Sequence, residues 1–168
     1  MAIQVKEFLG TTIAIPEDRL YEQEEGLWVK QQPDGRFAVG FTEPALLMSG
    51  IIRDIETLVD SGANVNSGET VLLSLTARLK YIACPLSGTV RFPKMEELAS
   101  RIMGDPYNTP LFFVATSDIV GRNLATASEY GDFLRNSEGA RNPKGSKGGV
   151  SPTCKAVYMG LGQQKFDG

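Results

Sequence analysis

Few side chains in this sequence could carry chemistry, and most sit in or beside one stretch, Glu69-Thr-Val-Leu-Leu-Ser-Leu-Thr-Ala-Arg-Leu-Lys-Tyr-Ile-Ala-Cys84. Lys80 offers a primary amine that could be acylated, and Cys84 a thiol that could carry an acyl group. Between Leu79 and Tyr81 on a strand, Lys80 reads as a solvated lysine. Cys84 reads as a small buried hydrophobe rather than a thiol carrier. Arg78 reads as surface charge, or as a contact for an anionic partner surface. Lys144-Gly-Ser-Lys-Gly-Gly149 resembles a phosphate loop in composition only. It lacks the Gly-x4-Gly-Lys-Ser/Thr spacing and follows no strand, so it reads as flexible linker. Glu22, Glu24 and Glu25 lack the alternating carboxylates of a calcium loop and read as a solvated face.

The chain has no histidine. That removes Ser-His and Cys-His nucleophile pairs, the usual zinc ligands and the commonest general base near neutral pH. A hydrolase or zinc enzyme would need less usual parts, so neither self-contained catalysis nor a metal site is expected. A formal net charge of −3 gives no reason to expect nucleic acid or an anionic membrane as partner. No apolar run approaches the roughly 20 residues that span a bilayer. The start, MAIQVKEFLG, lacks a long apolar segment, and two cysteines make no disulfide framework. A cytoplasmic protein is the expectation.

The elements that must position these side chains are short. Ala2 to Ile15 reads as a segment that pairs as a strand, and Pro16 to Glu25 as an acidic turn or short helix. Leu27 to Gln32 and Arg36 to Phe41 read as a hairpin turned by Pro33-Asp-Gly35. Trp28, Phe37 and Phe41 are expected in core packing. Thr42 is placed to cap a short helical turn with Pro44 at its start and Gly50 at its end. Ile51 to Val59 is extended, and the glycines of Asp60 to Gly68 turn the chain twice. Glu69 to Leu75 and Leu79 to Ala83 form a hairpin whose tip is Thr76-Ala77-Arg78. The spacing of Met95, Leu98 and Ile102 is helical, stopped by Asp105-Pro106, and Leu111 to Ala115 reads as a buried strand. Many short strands with frequent turn signals argue for a sandwich or small barrel.

The pattern changes after Asp118. One weak helix is expected within Ile119 to Leu134. Ser137 to Pro152 is a basic Gly/Ser/Pro-rich linker with too little apolar surface to order itself. Cys154 to Phe166 regains some hydrophobicity. The expected domains are therefore an N-terminal strand and acidic segment (1–26), a barrel-sandwich domain (27–118) and an irregular C-terminal extension (119–168).

From Leu27 to Asp118 the residues resemble the glycine cleavage system H protein family, lipoyl carriers. The pieces that carry the likeness are Trp28-Val29, Val39-Gly-Phe-Thr-Glu-Pro-Ala-Leu-Leu-Met-Ser-Gly-Ile51, Ser61-Gly-Ala-Asn-Val-Asn-Ser-Gly-Glu69, Pro85-Leu-Ser-Gly-Thr-Val90, Asp105-Pro-Tyr107 and Ser117-Asp118. They stand in the family's order at nearly its spacing. The resemblance implies a mainly β, barrel-sandwich hybrid fold of the lipoyl/biotinyl-carrier type with short flanking helices. It also implies where the carrier lysine should stand, eight residues before the proline of the Pro-x-Ser-Gly turn. Counting back from Pro85 gives Ala77, and the family's glutamate three residues earlier is Ser74 here. The family's His-Glu before the tryptophan is replaced by Gly26-Leu27.

Amide attachment of lipoate requires a primary amine, which alanine lacks. Thr76, Ala77 and Arg78 are thus expected to form a degenerate lipoyl tip that binds no cofactor, with Lys80 the fallback attachment point. Arg78 and Lys80 are the expected partner-binding residues. The leading reading is a non-catalytic, H-protein-like interaction or scaffold subunit of a larger enzyme assembly, with protein partners. The alternative is an active lipoyl carrier of the glycine cleavage type that uses another lysine. A third reading is a small-ligand-binding regulator with a cleft bordered by the tip and by Thr42 to Gly50.

Overall fold

A computed structural model describes residues 2–116 and 124–137. The readings placed on residues 117–123, on the linker from 138 to 152 and on 154–166 lie outside those residues. In chain order the strands are β1 (Ala2–Phe8), β2 (Thr11–Pro16), β3 (Leu20–Glu22), β4 (Leu27–Gln31) and β5 (Phe37–Phe41). Helix α1 (Glu43–Ser49) follows, then β6 (Asp54–Thr57), β7 (Ala63–Val65), β8 (Thr70–Leu75), β9 (Leu79–Ala83) and β10 (Gly88–Arg91). Helix α2 (Leu98–Gly104), a 3-10 turn at Pro106–Asn108, β11 (Phe112–Ala115) and helix α3 (Ala127–Arg135) complete the described chain. It divides into two compact units, Pro16–Ala127 and a second made of Ala2–Ile15 with the chain from Ser128.

In the second unit the expected single strand is a two-stranded sheet, β1 with β2. Leu9 (φ 49) and Gly10 (φ 82) make the turn. Glu7 also lies at φ 58. This local kink breaks the two-residue period, so Val5 and Phe8 are buried where strict alternation would bury Val5 and Glu7. Ile13 and Ile15 alternate normally along β2 and are both buried. On α3, Tyr130 and Leu134 stand one turn apart and are buried. Arg135 ties the helix to β1 by donating to the Gln4 carbonyl (2.7 Å).

The first unit holds two antiparallel sheets. The larger has the order β3-β4-β5-β11-β10-β7 and the smaller β6-β8-β9. Their shared core contains Leu27, Val29, Val39, Phe41, Leu72, Ile82, Leu86, Val90, Phe112 and Val114. On β4, Leu27 and Val29 point into that core. Trp28 is buried too, at 2% exposure, but alternation sends it to the opposite face. There its indole donates to the Pro106 carbonyl (3.0 Å), and the Arg19 guanidinium lies 4.8 Å from the ring centre. Gly40 makes room, because a Cβ at that position would overlap the indole ring. Arg19 also donates to the Tyr107 carbonyl (2.6 Å) and pairs with Asp18 (2.8 Å). Trp28 is therefore core packing of a second kind, covering the outer side of the large sheet.

The expected cap of α1 is present: Thr42 Oγ1 accepts from the Ala45 N–H (3.2 Å), and Gly50, at φ 87, closes the helix onto the Leu46 carbonyl. Two expectations shift. Leu20–Glu22, read as part of an acidic turn, is a strand whose Tyr21 pairs with Trp28 and bridges to Ala125. Helix α2 starts at Leu98 rather than near Met95, because Glu97 (φ 58) breaks the right-handed path. Ile51 to Val59 contributes only the four-residue β6.

Candidate functional site at the β8–β9 tip

The register of the β8–β9 hairpin fixes every side chain near the tip. Leu75 pairs with Leu79, Ser74 with Lys80, Leu73 with Tyr81 and Leu72 with Ile82. Three residues, Thr76, Ala77 and Arg78, connect the strands. The Thr76 N–H donates to the Arg78 carbonyl (2.9 Å). The Thr76 hydroxyl donates to the same carbonyl (3.1 Å) and accepts from the Arg78 N–H (3.1 Å). Ala77 is the middle residue of this tight loop and is exposed.

Lys80 is not the solvated strand lysine suggested by its neighbours. It pairs with Ser74, which also pairs with Ile55, and both Ser74 and Ile55 are buried. Directly opposed residues share one face of a sheet, so Lys80 belongs to the inward set while Leu79 and Tyr81 face out. Its Nζ reaches the Glu25 carbonyl at 3.4 Å, in the turn between β3 and β4. Burial holds the amine below the usual lysine range, although the Glu25 and Glu22 carboxylates partly oppose the shift. Burial likewise pushes the Glu25 carboxyl up, against the pull of Lys80. Glu25 Oε1 and Gln23 Oε1 are buried without hydrogen-bond partners. Glu25 is thus only partly solvated, whereas Glu24 is exposed as the acidic-face reading expected.

Below the tip, at the other end of the hairpin, Cys84 is 1% exposed and its Sγ donates to the Leu86 carbonyl (3.0 Å). Burial pushes the thiol up to about 11. The nucleophilic thiolate is scarce at neutral pH, so Cys84 is a core residue. The turn Asn66–Glu69 locks onto the same region. The Gly68 N–H donates to the Cys84 carbonyl (2.8 Å), the Ser67 N–H to Ser87 Oγ (2.8 Å) and the Ser67 hydroxyl to the Pro85 carbonyl (3.2 Å).

Sequence reasoning located the tip but missed the Lys80–Glu25 contact and the Arg19–Trp28–Tyr107 stack. The parity of Lys80 with Ser74, once the hairpin is in register, was the available signal for the first. For the second, the lone arginine in an acidic stretch was the only hint. A crevice of about 620 Å³ is lined by Lys30, Gln31, Gln32, Pro33 and Gly35, not by the tip or Thr42 to Gly50. Among the described residues no group of three histidine, cysteine or acidic side chains is disposed to hold a metal ion.

No protein-family model and no curated protein matches this chain. Fourteen chains of solved structures do. One is the crystal structure of a glycine cleavage system H protein from Mycobacterium marinum, with 28% sequence identity and a TM-score of 0.61. The match covers 71% of this chain and 98% of that one. The chain is therefore a mainly β, barrel-sandwich protein with short helices, similar in fold and sequence to a glycine cleavage system H protein.

Proposed function

We propose that this chain is a non-catalytic, H-protein-like interaction or scaffold subunit of a larger enzyme assembly, in which the carrier site has been lost. The observation that carries the reading is Ala77 as the middle residue of the exposed three-residue tip. A swinging arm is an amide on a lysine at such a position, and a methyl group cannot form one. Support also comes from Lys80, the nearest amine on the hairpin. It lies three residues along, on the inward side and half-buried, so acylation there would require giving up its hydrogen bond to the Glu25 carbonyl. The rigid barrel is retained, and with it a surface of the kind that carrier domains present to several enzymes. The proposed role needs protein partners, no cofactor and no nucleic acid. Among the described residues no helix is long and apolar enough to cross a membrane, and a cytoplasmic setting is part of the proposal.

The test joins two measurements on protein purified from its native source. Intact mass is expected to equal that of the unmodified chain, and the same partner proteins are expected in every preparation. An added lipoyl mass mapping to Lys80 would overturn the reading in favour of an active carrier. A lone monomer with no reproducible partner would overturn it as well.

A further inference from the structure

The outer face of the small sheet carries its own complement. Register places Leu73 and Leu75 of β8 beside Tyr81 and Leu79 of β9, all on the side away from the core. Leu79 is 60% exposed and Tyr81 59%. The other edge strand, β6, sets exposed Asp54 opposite Leu75 and exposed Glu56 opposite Leu73. Two rungs therefore cross the sheet, Asp54–Leu75–Leu79 near the tip and Glu56–Leu73–Tyr81 one step below. Each runs from a carboxylate through leucine to an exposed apolar group. Arg78 adjoins the first rung, and the Tyr81 hydroxyl ends the second. Leu79 and Tyr81 thus lie next to half-exposed Leu75 and Leu73 on one face, a contiguous apolar surface of the sort through which chains can associate.

We infer that this face binds a second copy of the chain, through a two-fold axis that runs along β8 between the stacked sheets. Rotation about that axis keeps the rungs level and lays β6 of each copy over β9 of the other. Leu73 and Leu75 then meet their equivalents at the centre, with the sheets at the usual face-to-face spacing of about 10 Å. Asp54 comes over Leu79 beside Arg78 of the second copy, and Glu56 comes over the Tyr81 hydroxyl. A two-fold axis across the strands would instead stack β6 on β6 and set carboxylate against carboxylate, so charge selects the first arrangement. Both contacts occur twice in such an isologous interface. Asp54 already accepts the Ile55 N–H at one oxygen (2.9 Å), which orients the carboxylate without covering it.

Sedimentation velocity on the purified full-length chain across a concentration series tests the inference, and needs none of the partners invoked for the scaffold role. A reversible monomer–dimer equilibrium is expected. Leu79→Asp, at an exposed position, should weaken the dimer roughly a hundredfold while circular dichroism stays unchanged. Asp54→Arg and Arg78→Asp should each weaken it roughly tenfold, and the double variant should recover most of that loss. A chain that stays monomeric at every concentration overturns the inference. So does a dimer indifferent to Leu79→Asp, or a double charge variant no tighter than either single one.

Discussion

The two ends of the β8–β9 hairpin are built on different principles. At the base, Cys84 and Leu86 are buried, and Ser67, Gly68 and Glu69 hydrogen-bond to Cys84, Pro85 and Ser87 across two turns. At the tip, Thr76 and Arg78 bond across Ala77, which stands exposed. Two of the pieces that make the sequence resemble H proteins, Gly68-Glu69 and Pro85-Leu-Ser-Gly88, belong to the base. The residue that a carrier needs belongs to the tip. The contacts that fold the hairpin and the position that would bear an arm therefore occupy opposite ends, and likeness at the base reports architecture rather than chemistry.

The largest effects should fall at the base. Leu86→Ala removes a fully buried side chain from the shared core, so urea unfolding should show a loss of about 3 kcal/mol. A loss under 1 kcal/mol would mean that the base is not the structural end. Ser87→Ala deletes the acceptor of the Ser67 N–H and should cost about 1 kcal/mol in the same assay. No detectable change would place the burden of the turn on the backbone bonds of Gly68 and Cys84.

Much of this contrast was legible in the sequence, for identifiable reasons. Pro33-Asp-Gly35 gave its hairpin, with Asp34 accepting the Arg36 N–H (3.0 Å), and Thr42, Pro44 and Gly50 gave α1 its ends. Such signals act over a few residues, so a local reading finds them. β3 escaped because three residues are too short to show alternation, and its strand character comes from pairing with β4 and from the Ala125 bridge. The kink at Glu7 and the start of α2 escaped because non-glycine residues at positive φ leave no compositional trace. The tip was found by counting from Pro85. The inward side of Lys80 was open to the same counting through its parity with Ser74, but the identity of its partner was not, because Glu25 lies 55 residues away.

Lys80 lies between the two extremes and sharpens the comparison through pH. Its folded-state pKa is lowered, so below that value both folded and unfolded chains carry the charge and the burial penalty acts in full. As pH rises from there toward the unfolded value near 10.5 the folded chain releases its proton first, the unfolded chain binds more protons, and wild-type stability rises. Lys80→Met removes the penalty and keeps the apolar stem. The variant should be more stable at neutral pH by up to about 1 kcal/mol. The advantage should shrink as pH approaches 10. Destabilisation at neutral pH would show that the amine is a structural tie and move Lys80 to the base's side of the comparison.

The tip itself should respond least in stability and most in chemistry. Ala77 is exposed, so Ala77→Lys should shift the unfolding midpoint by no more than the equivalent of about 0.5 kcal/mol. Supplied with lipoate, ATP and a lipoate–protein ligase, the new amine should accept the activated lipoyl carboxyl as an amide, and intact mass should show one added group on the variant and none on the wild type. The base and the barrel around it would then be competent to present an arm, and Ala77 would be the side chain that keeps the wild-type tip from being lipoylated. Wild-type protein modified at Lys80 under the same conditions would erase the distinction between the two ends, because burial beneath Glu25 would not have kept that amine from the ligase.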